Sequence, residues 1–232
     1  MRDSDLHPTD EEQEKFDEIE RLLDATYGPR ILRANGDPVS ELVGTILSQN
    51  TSDVNTARTF ASLREEFPSW EDVIEADTAD VRDAIRMGGL SNIKAPRIQK
   101  VLKAILDECG ALDISFLQSM EPAEAQAWLT NLDGIGPKTA ACVLLFSLGM
   151  PVMPVDTHVG RVMTRLGVVP DRTSTLRKER IIESLIGDDA HRMYAVHVET
   201  ITHGRQICRA QKPRCEICPL QSVCTYYQER IA

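Results

Sequence analysis

The decapeptide Leu132-Asp133-Gly134-Ile135-Gly136-Pro137-Lys138-Thr139-Ala140-Ala141 constrains this chain more than any other stretch. Before it, Pro122 to Asn131 carries Ala125, Trp128 and Leu129 at helical spacing, continued by Leu132; after it, Thr139 to Leu148 is a run of helix formers. The two glycines between them allow positive φ and leave the backbone uncovered. Pro137 suits the first helical position, where its missing N–H costs nothing. The pattern predicts a helix, a tight hairpin and a second helix over about residues 122–148. The free N–H groups at the start of the second helix form an anion site, and phosphate is the usual occupant. Lys138 lies in that first turn, where the helix dipole opposes a cation. A lysine pushed toward its neutral amine can act as a nucleophile. The alternative is a surface lysine that touches phosphate.

Two later stretches bear on that choice. Pro154-Val155-Asp156-Thr157-His158-Val159-Gly160-Arg161 puts an aspartate at the start of a helix that runs to Leu166. Aspartate is a favoured N-cap, so Asp156 taken alone reads as a cap. Cys208-x6-Cys215-x2-Cys218-x5-Cys224 gathers four of the six cysteines within seventeen residues. In a reducing compartment such clustering suggests a metal centre rather than disulfides. Thiolates hold either a structural zinc or an iron–sulfur cluster. Zinc favours two short Cys-x2–4-Cys knuckles, and here only Cys215 and Cys218 make one, which favours the cluster. His197 and His203 fit better as helix residues than as ligands, and Cys109 and Cys142 as small core residues.

Taken in this order, the hairpin with its lysine, the Val-Asp-Thr-His stretch and the four cysteines resemble the endonuclease III family of DNA glycosylases. The resemblance covers about Val39 to Tyr227. It implies an all-α fold of two helical domains with a DNA-binding cleft between them. A six-helix domain of residues 36–150 would hold the hairpin. Residues 1–35 plus 151–232 would form the second domain, with a [4Fe–4S] cluster on Cys208, Cys215, Cys218 and Cys224. The implied activity is base-excision glycosylase with abasic-site lyase, acting on oxidised pyrimidines in damaged double-stranded DNA. Lys138 would attack the deoxyribose of a flipped-out nucleotide, form a Schiff base and nick the strand 3′ of the site by β-elimination. Asp156 would stabilise positive charge on the sugar and help deprotonate the lysine. Gly134, Gly136, Thr139, His158, Arg209, Lys212 and Arg214 are the expected DNA contacts.

In this family a leucine after a glycine break wedges into the duplex, and a glutamine near the start of the third helix fills the hole. Leu90, after Gly88-Gly89, matches the wedge, against the bland reading of a core leucine. Alignment through Ser48 and Asp53 puts Asn50, not Gln49, at the gap-filling place, so either the shorter amide fills it or Gln49 takes over. The segment from about Cys109 to Glu124 is also longer than in the shortest family members. Two alternatives stand beside the lyase: a monofunctional adenine or mismatch glycosylase, which lacks lysine at the hairpin, and a weakly active or non-catalytic DNA-binding iron–sulfur paralogue.

The remaining pattern is helical throughout, with no useful stretch of two-residue alternation. Helices are expected at Thr9–Tyr27, Pro38–Gln49, from Ser52 or Thr51 as cap to Phe67 through Val54, Ala57, Phe60 and Leu63, at Trp70–Ala76, and at Thr78–Met87 capped by Thr78. Others follow at about Asn92–Glu108, Ser174–Ile186 and His191–His203. A net charge of −10 argues against a DNA binder until its distribution is read. Residues 1–37 hold eleven acids and five bases. Residues 86–106 carry Arg86, Lys94, Arg97, Lys100 and Lys103 without an acid, and residues 205–214 carry Arg205, Arg209, Lys212 and Arg214 without one. Local field decides phosphate contact, so basic edges on an acidic body can hold DNA. No apolar run approaches a membrane span, and the first residues lack an apolar leader. The expectation is a cytoplasmic, nucleoid-associated monomer with no membrane partner.

Overall fold

Helix starts fall where a polar cap precedes apolar periodicity. In the computed structural model, which describes residues 7–231, Thr9 and Glu12 form a capping box at the start of α1 (Asp10–Tyr27). Residues 1–6, where no apolar leader is expected, and Ala232 lie outside the described residues. Asp37 caps α2 (Pro38–Ser48), Ser52 caps α3 (Asp53–Glu66), and Ser69 with Asp72 boxes α4 (Trp70–Glu75). α5 (Thr78–Ala84) departs from expectation. Its N-cap is Asp77 with no side-chain bond, Thr78 is already helical, and its hydroxyl bonds Gln99 Oε1 at 2.6 Å instead. The helix also stops three residues early, at a 3₁₀ turn over Arg86–Gly88.

α6 (Ser91–Cys109), a 3₁₀ turn at Ser115–Ser119 and α7 (Pro122–Asn131) lead to the hairpin. α8 (Pro137–Cys142) continues through a π-helical turn at Val143–Ser147 rather than as regular α-helix. Beyond it come α9 (Thr157–Leu166), α10 (Thr175–Ile186), α11 (Ala190–Gln206) and α12 (Thr225–Ile231). The fold is all-α, with no strand among the described residues.

The chain divides into two compact units, Ala34–Leu148 and Met1–Arg33 with Gly149–Ala232. In the first, α2 is the central helix, packed by α3, α6, α8 and the π turn. Its Leu42, Val43, Ile46 and Leu47 are fully enclosed with Ile98, Leu102 and Ile105 of α6 and Leu144 and Leu145 of the π turn. α3 buries only part of the expected face: Leu63 is enclosed, with Thr59 beside it, and Phe60 is half-buried, whereas Ala57 is exposed and Val54 is 62% exposed. In the second unit α9 lies against α11, and α1 covers α11. Phe16, Ile19 and Leu23 are buried there with Val159, Met163 and Val196. α9 and α11 approach so closely at Gly204 that a Cβ there would stand 3.0 Å from His158 and 3.2 Å from Arg161.

Candidate active site and cysteine loop

The hairpin uses its two glycines differently. Gly134 has φ +82° and lies under Arg97, where a Cβ would stand 2.7 Å from the guanidinium Nε. Gly136, at φ −96° and ψ 170°, is ordinary extended backbone, so the positive φ that both glycines allow is used by one only. Its contribution is bareness: a Cβ there would meet nothing within 4 Å. The Ile135 N–H donates to the Leu132 carbonyl and the Ala140 N–H to the Gly136 carbonyl, each at 3.0 Å. Among the described residues the N–H groups of Lys138 and Thr139 find no acceptor, as the first turn of a helix requires. That leaves an anion-binding end next to the Lys138 side chain, which is half-buried. The Thr139 side chain is buried, so this residue offers a ligand only its N–H.

Glu41, also on α2, is a site neighbour that the sequence motifs do not single out. Burial raises its carboxyl above the usual range, against hydrogen bonds from Asn35 (3.1 Å) and Thr45 (3.4 Å) and the nearby charge of Lys138. The available signal was a glutamate inside the otherwise apolar run of α2.

Beside the hairpin, Lys100 pairs with Asp133 and Arg97 donates to Gln49 Oε1 at 3.0 Å. Gln49 is therefore engaged, while Asn50 is exposed in the left-handed region at φ +53°. Leu90 shares that φ and is 50% exposed, so it is no core leucine. Lys94, counted with the basic face of α6, is only 2% exposed and belongs to the interior; Arg97, Lys100 and Lys103 remain on the surface side.

In the other unit, Asp156 caps α9 with a single oxygen: Oδ1 accepts from the His158 and Val159 N–H groups, both at 2.8 Å. Among the described residues Oδ2 accepts no hydrogen bond. His158 faces Arg161, its Nδ1 3.1 Å from Nη2. Arg161 also donates to the carbonyls of Cys208 (3.0 Å) and Gly204 (2.9 Å).

Cys208, Cys215, Cys218 and Cys224 line one cavity with apolar walls from Val162, Leu166 and Leu220. Four thiols around one cavity are the ligand set that a [4Fe–4S] cluster or a structural zinc takes. Arg165 of α9 braces this loop. It donates to Cys208 Sγ at 3.3 Å and to the carbonyls of Arg209 (2.7 Å) and Ala210 (3.0 Å), and stacks on Tyr226. His203 is on α11, as expected, yet its Nε2 lies 3.6 Å from Cys218 Sγ and its Nδ1 2.9 Å from the Tyr27 hydroxyl. Arg209, Lys212 and Arg214 are exposed on the loop, and Lys212 turns the chain at φ +50°.

This chain matches the HhH-GPD superfamily of base excision DNA repair proteins over residues 43–187, and the iron–sulfur binding domain of endonuclease III over residues 208–224. It is 35% identical over 189 residues to an Arabidopsis thaliana protein named as a candidate DNA glycosylase, a match covering 77% of this chain. Endonuclease III of Thermotoga maritima is 32% identical over 194 residues, covering 84% of this chain and 85% of that protein. A solved non-covalent endonuclease III–DNA complex superposes with a TM-score of 0.78 at 27% identity, covering 94% of this chain and 98% of that one. The chain spans 64% of the length of the Arabidopsis relative, and about a tenth of two longer rice relatives.

Proposed function

The chain belongs to the HhH-GPD superfamily of base excision DNA repair proteins and carries the endonuclease III iron–sulfur domain, and on that premise we propose that it is a bifunctional DNA glycosylase and abasic-site lyase. The observation that carries the proposal is Lys138, a half-buried amine in the first turn of the helix that follows the hairpin, beside unpaired backbone N–H groups. Those N–H groups take a phosphate of the damaged strand and set the amine near the adjacent sugar.

The neutral amine attacks C1′ of the deoxyribose. The N-glycosidic bond breaks, and the base leaves with its electron pair and is protonated. The C1′–O4′ bond then opens, O4′ taking up the proton that the attacking amine gives up, and the ring-opened sugar remains joined to Lys138 as an iminium. Loss of a C2′ proton then expels the 3′ phosphate by β-elimination, and water hydrolyses the iminium to free the enzyme. Asp156 keeps its helix cap through Oδ1 and offers Oδ2 to the developing positive charge, as carboxylates do at glycosidic centres. Leu90 enters the duplex as the wedge. Asn50 is the amide free to fill the vacated place, since Gln49 is held by Arg97. The substrate class is oxidised pyrimidine, following the family resemblance. The cluster on Cys208, Cys215, Cys218 and Cys224 supplies a fixed, covalently braced loop that presents Arg209, Lys212 and Arg214 to phosphates.

Borohydride trapping tests the reading. Wild-type protein should form a covalent adduct with duplexes containing oxidised thymine or an abasic site. Lys138→Gln should form none and should not nick the strand. An adduct of undiminished yield in the variant would move the nucleophile elsewhere. Tight binding without an adduct on any lesion would favour a non-catalytic protein.

A further inference from the structure

Lys94 is a buried charge that the chemistry above does not use. Its side chain is 2% exposed, and its Nζ donates to the Leu47 carbonyl at 2.7 Å and the Gly88 carbonyl at 3.0 Å. Neither acceptor is a carboxylate. An ammonium taken out of water against neutral carbonyls is costly, and burial lowers its proton affinity accordingly. An aliphatic side chain would fill the same space without that cost, so the bonds are what the lysine provides.

Those bonds join two turns. Leu47 is in the last turn of α2, where carbonyls lack helical partners and carry the negative end of the dipole. Gly88 ends the 3₁₀ turn before α6, and its carbonyl also accepts from the Thr51 hydroxyl at 2.5 Å. α3 walls the same turn: a Cβ on Gly88 would lie 2.9 Å from Thr59 Oγ1. Three residues beyond Leu47 comes Asn50, and two beyond Gly88 comes Leu90, both non-glycine residues at φ +53°. Left-handed backbone is costly for leucine and more readily adopted by asparagine, so at Leu90 above all the surroundings must impose it. The Lys94 N–H completes the brace by donating to the Leu90 carbonyl at 3.0 Å. Met87 and Ile93, 60% and 53% exposed, flank Leu90 with further apolar surface.

Resting on the wedge and gap-filling roles given to Leu90 and Asn50, we propose that Lys94 is a positioning residue that cross-links their two turns, so that wedge and filler enter the duplex as one rigid unit. It touches no DNA itself and acts through the backbone that presents them.

The test uses a duplex with a tetrahydrofuran abasic analogue and 2-aminopurine opposite it, read at saturating protein so that affinity drops out. Wild-type holoprotein should raise the 2-aminopurine fluorescence as the base unstacks, and Leu90→Ala should remove most of the rise. Lys94→Met, which keeps the stem and loses the donors, should cut it several-fold. Thr51→Val, which removes the second donor to Gly88 at a partly exposed site, should cut it less and in the same direction; it also serves if Lys94→Met fails to fold. Ile105→Val, a cavity in the same unit away from both turns, should leave it intact. The proposal is overturned if the Thr51 variant, and the Lys94 variant where it folds, keep the full rise while Leu90→Ala loses it, or if Ile105→Val loses as much as Lys94→Met. A full rise in Leu90→Ala would instead sink the wedge reading, and this proposal with it.

Discussion

In the proposed reaction Asp156 divides two tasks between two oxygens. Oδ1 holds the N–H groups of His158 and Val159, and Oδ2, which accepts no hydrogen bond among the described residues, is the one proposed to face the substrate. Asparagine caps a helix about as well as aspartate, whereas alanine costs about 1 kcal/mol. Asp156→Asn should therefore melt within a few degrees of wild type, yet its single-turnover base release should fall by on the order of a hundredfold or more, the usual scale for a positioned carboxylate. A loss under threefold would leave Asp156 as a cap and nothing else. Glu199 of α11 shows the opposite use of a buried acid. Burial pushes its carboxyl up to about 7, with Asp24 and Glu20 adding to the rise and Arg30 opposing it. Its Oε1 has no hydrogen-bond partner among the described residues. The folded state thus binds a proton more tightly than the unfolded chain, whose carboxyl titrates near 4.5. Its contribution to stability is complete below the unfolded value and is lost as pH rises through about 7. Thermal unfolding of holoprotein should show Glu199→Gln more stable than wild type at about pH 8.5, with the gap closing toward pH 5.5. A gap that does not depend on pH would show that ionisation of Glu199 is not its source.

At the scale of the element, α9 joins the capped aspartate to the cysteine loop. Asp156 stands at its N-cap, and further along the helix Arg161 and Arg165 reach into the loop. Arg165 alone satisfies two loop carbonyls and approaches one cysteine sulfur. Hydrogen bonds from charged donors are worth up to about 1.5–3 kcal/mol each, less where water reaches the acceptor as it does at Arg209 and Ala210. Arg165→Met should keep the apolar stem against Tyr226 but free the carbonyls of Arg209 and Ala210. The variant should release iron to a chelator several-fold faster than wild type, measured by loss of the visible absorption band. Equal release rates would mean that the cysteines fix the loop without the helix.

At the scale of the whole molecule, the charge of −10 has to be reconciled with DNA. The exposed bases Arg209, Lys212 and Arg214 of the cysteine loop provide local positive surface, whereas Lys100 and Lys103 on α6 are paired with Asp133 and Asp107. Replacing Lys212 and Arg214 together with Ala should weaken binding to damaged and undamaged duplex alike. The slope of log affinity against log salt should become shallower by roughly two, about one counterion for each phosphate that is no longer neutralised. A defect confined to damaged DNA would mean that the loop reads the lesion rather than the backbone.

Much of this was legible along the chain because the physics is local. Ser52 caps its helix as expected, and the helices expected from Thr9, Trp70 and Ser174 begin within one residue of those positions, each behind a hydroxyl cap, whereas Thr78, the other expected cap, is already helical. The cysteine spacing marked the iron–sulfur loop because a compact segment supplies all four thiolates. The all-α class followed from periodicity alone. What the sequence could not decide was which neighbour covers a given side chain. Lys94 is one more base in a basic stretch until Leu47 and Gly88 close over it. Leu90 is an apolar residue like any other until its turn holds it outward. Gln49 and Asn50 are adjacent amides, told apart only by the Arg97 guanidinium that reaches one and not the other. Thr139 is a polar residue that packing buries, and His203 a helix residue that packing sets beside a cysteine. Caps, periods and ligand spacings are properties of a few successive residues. Burial and partnership belong to pairs of elements far apart in the chain, and only their packing assigns them.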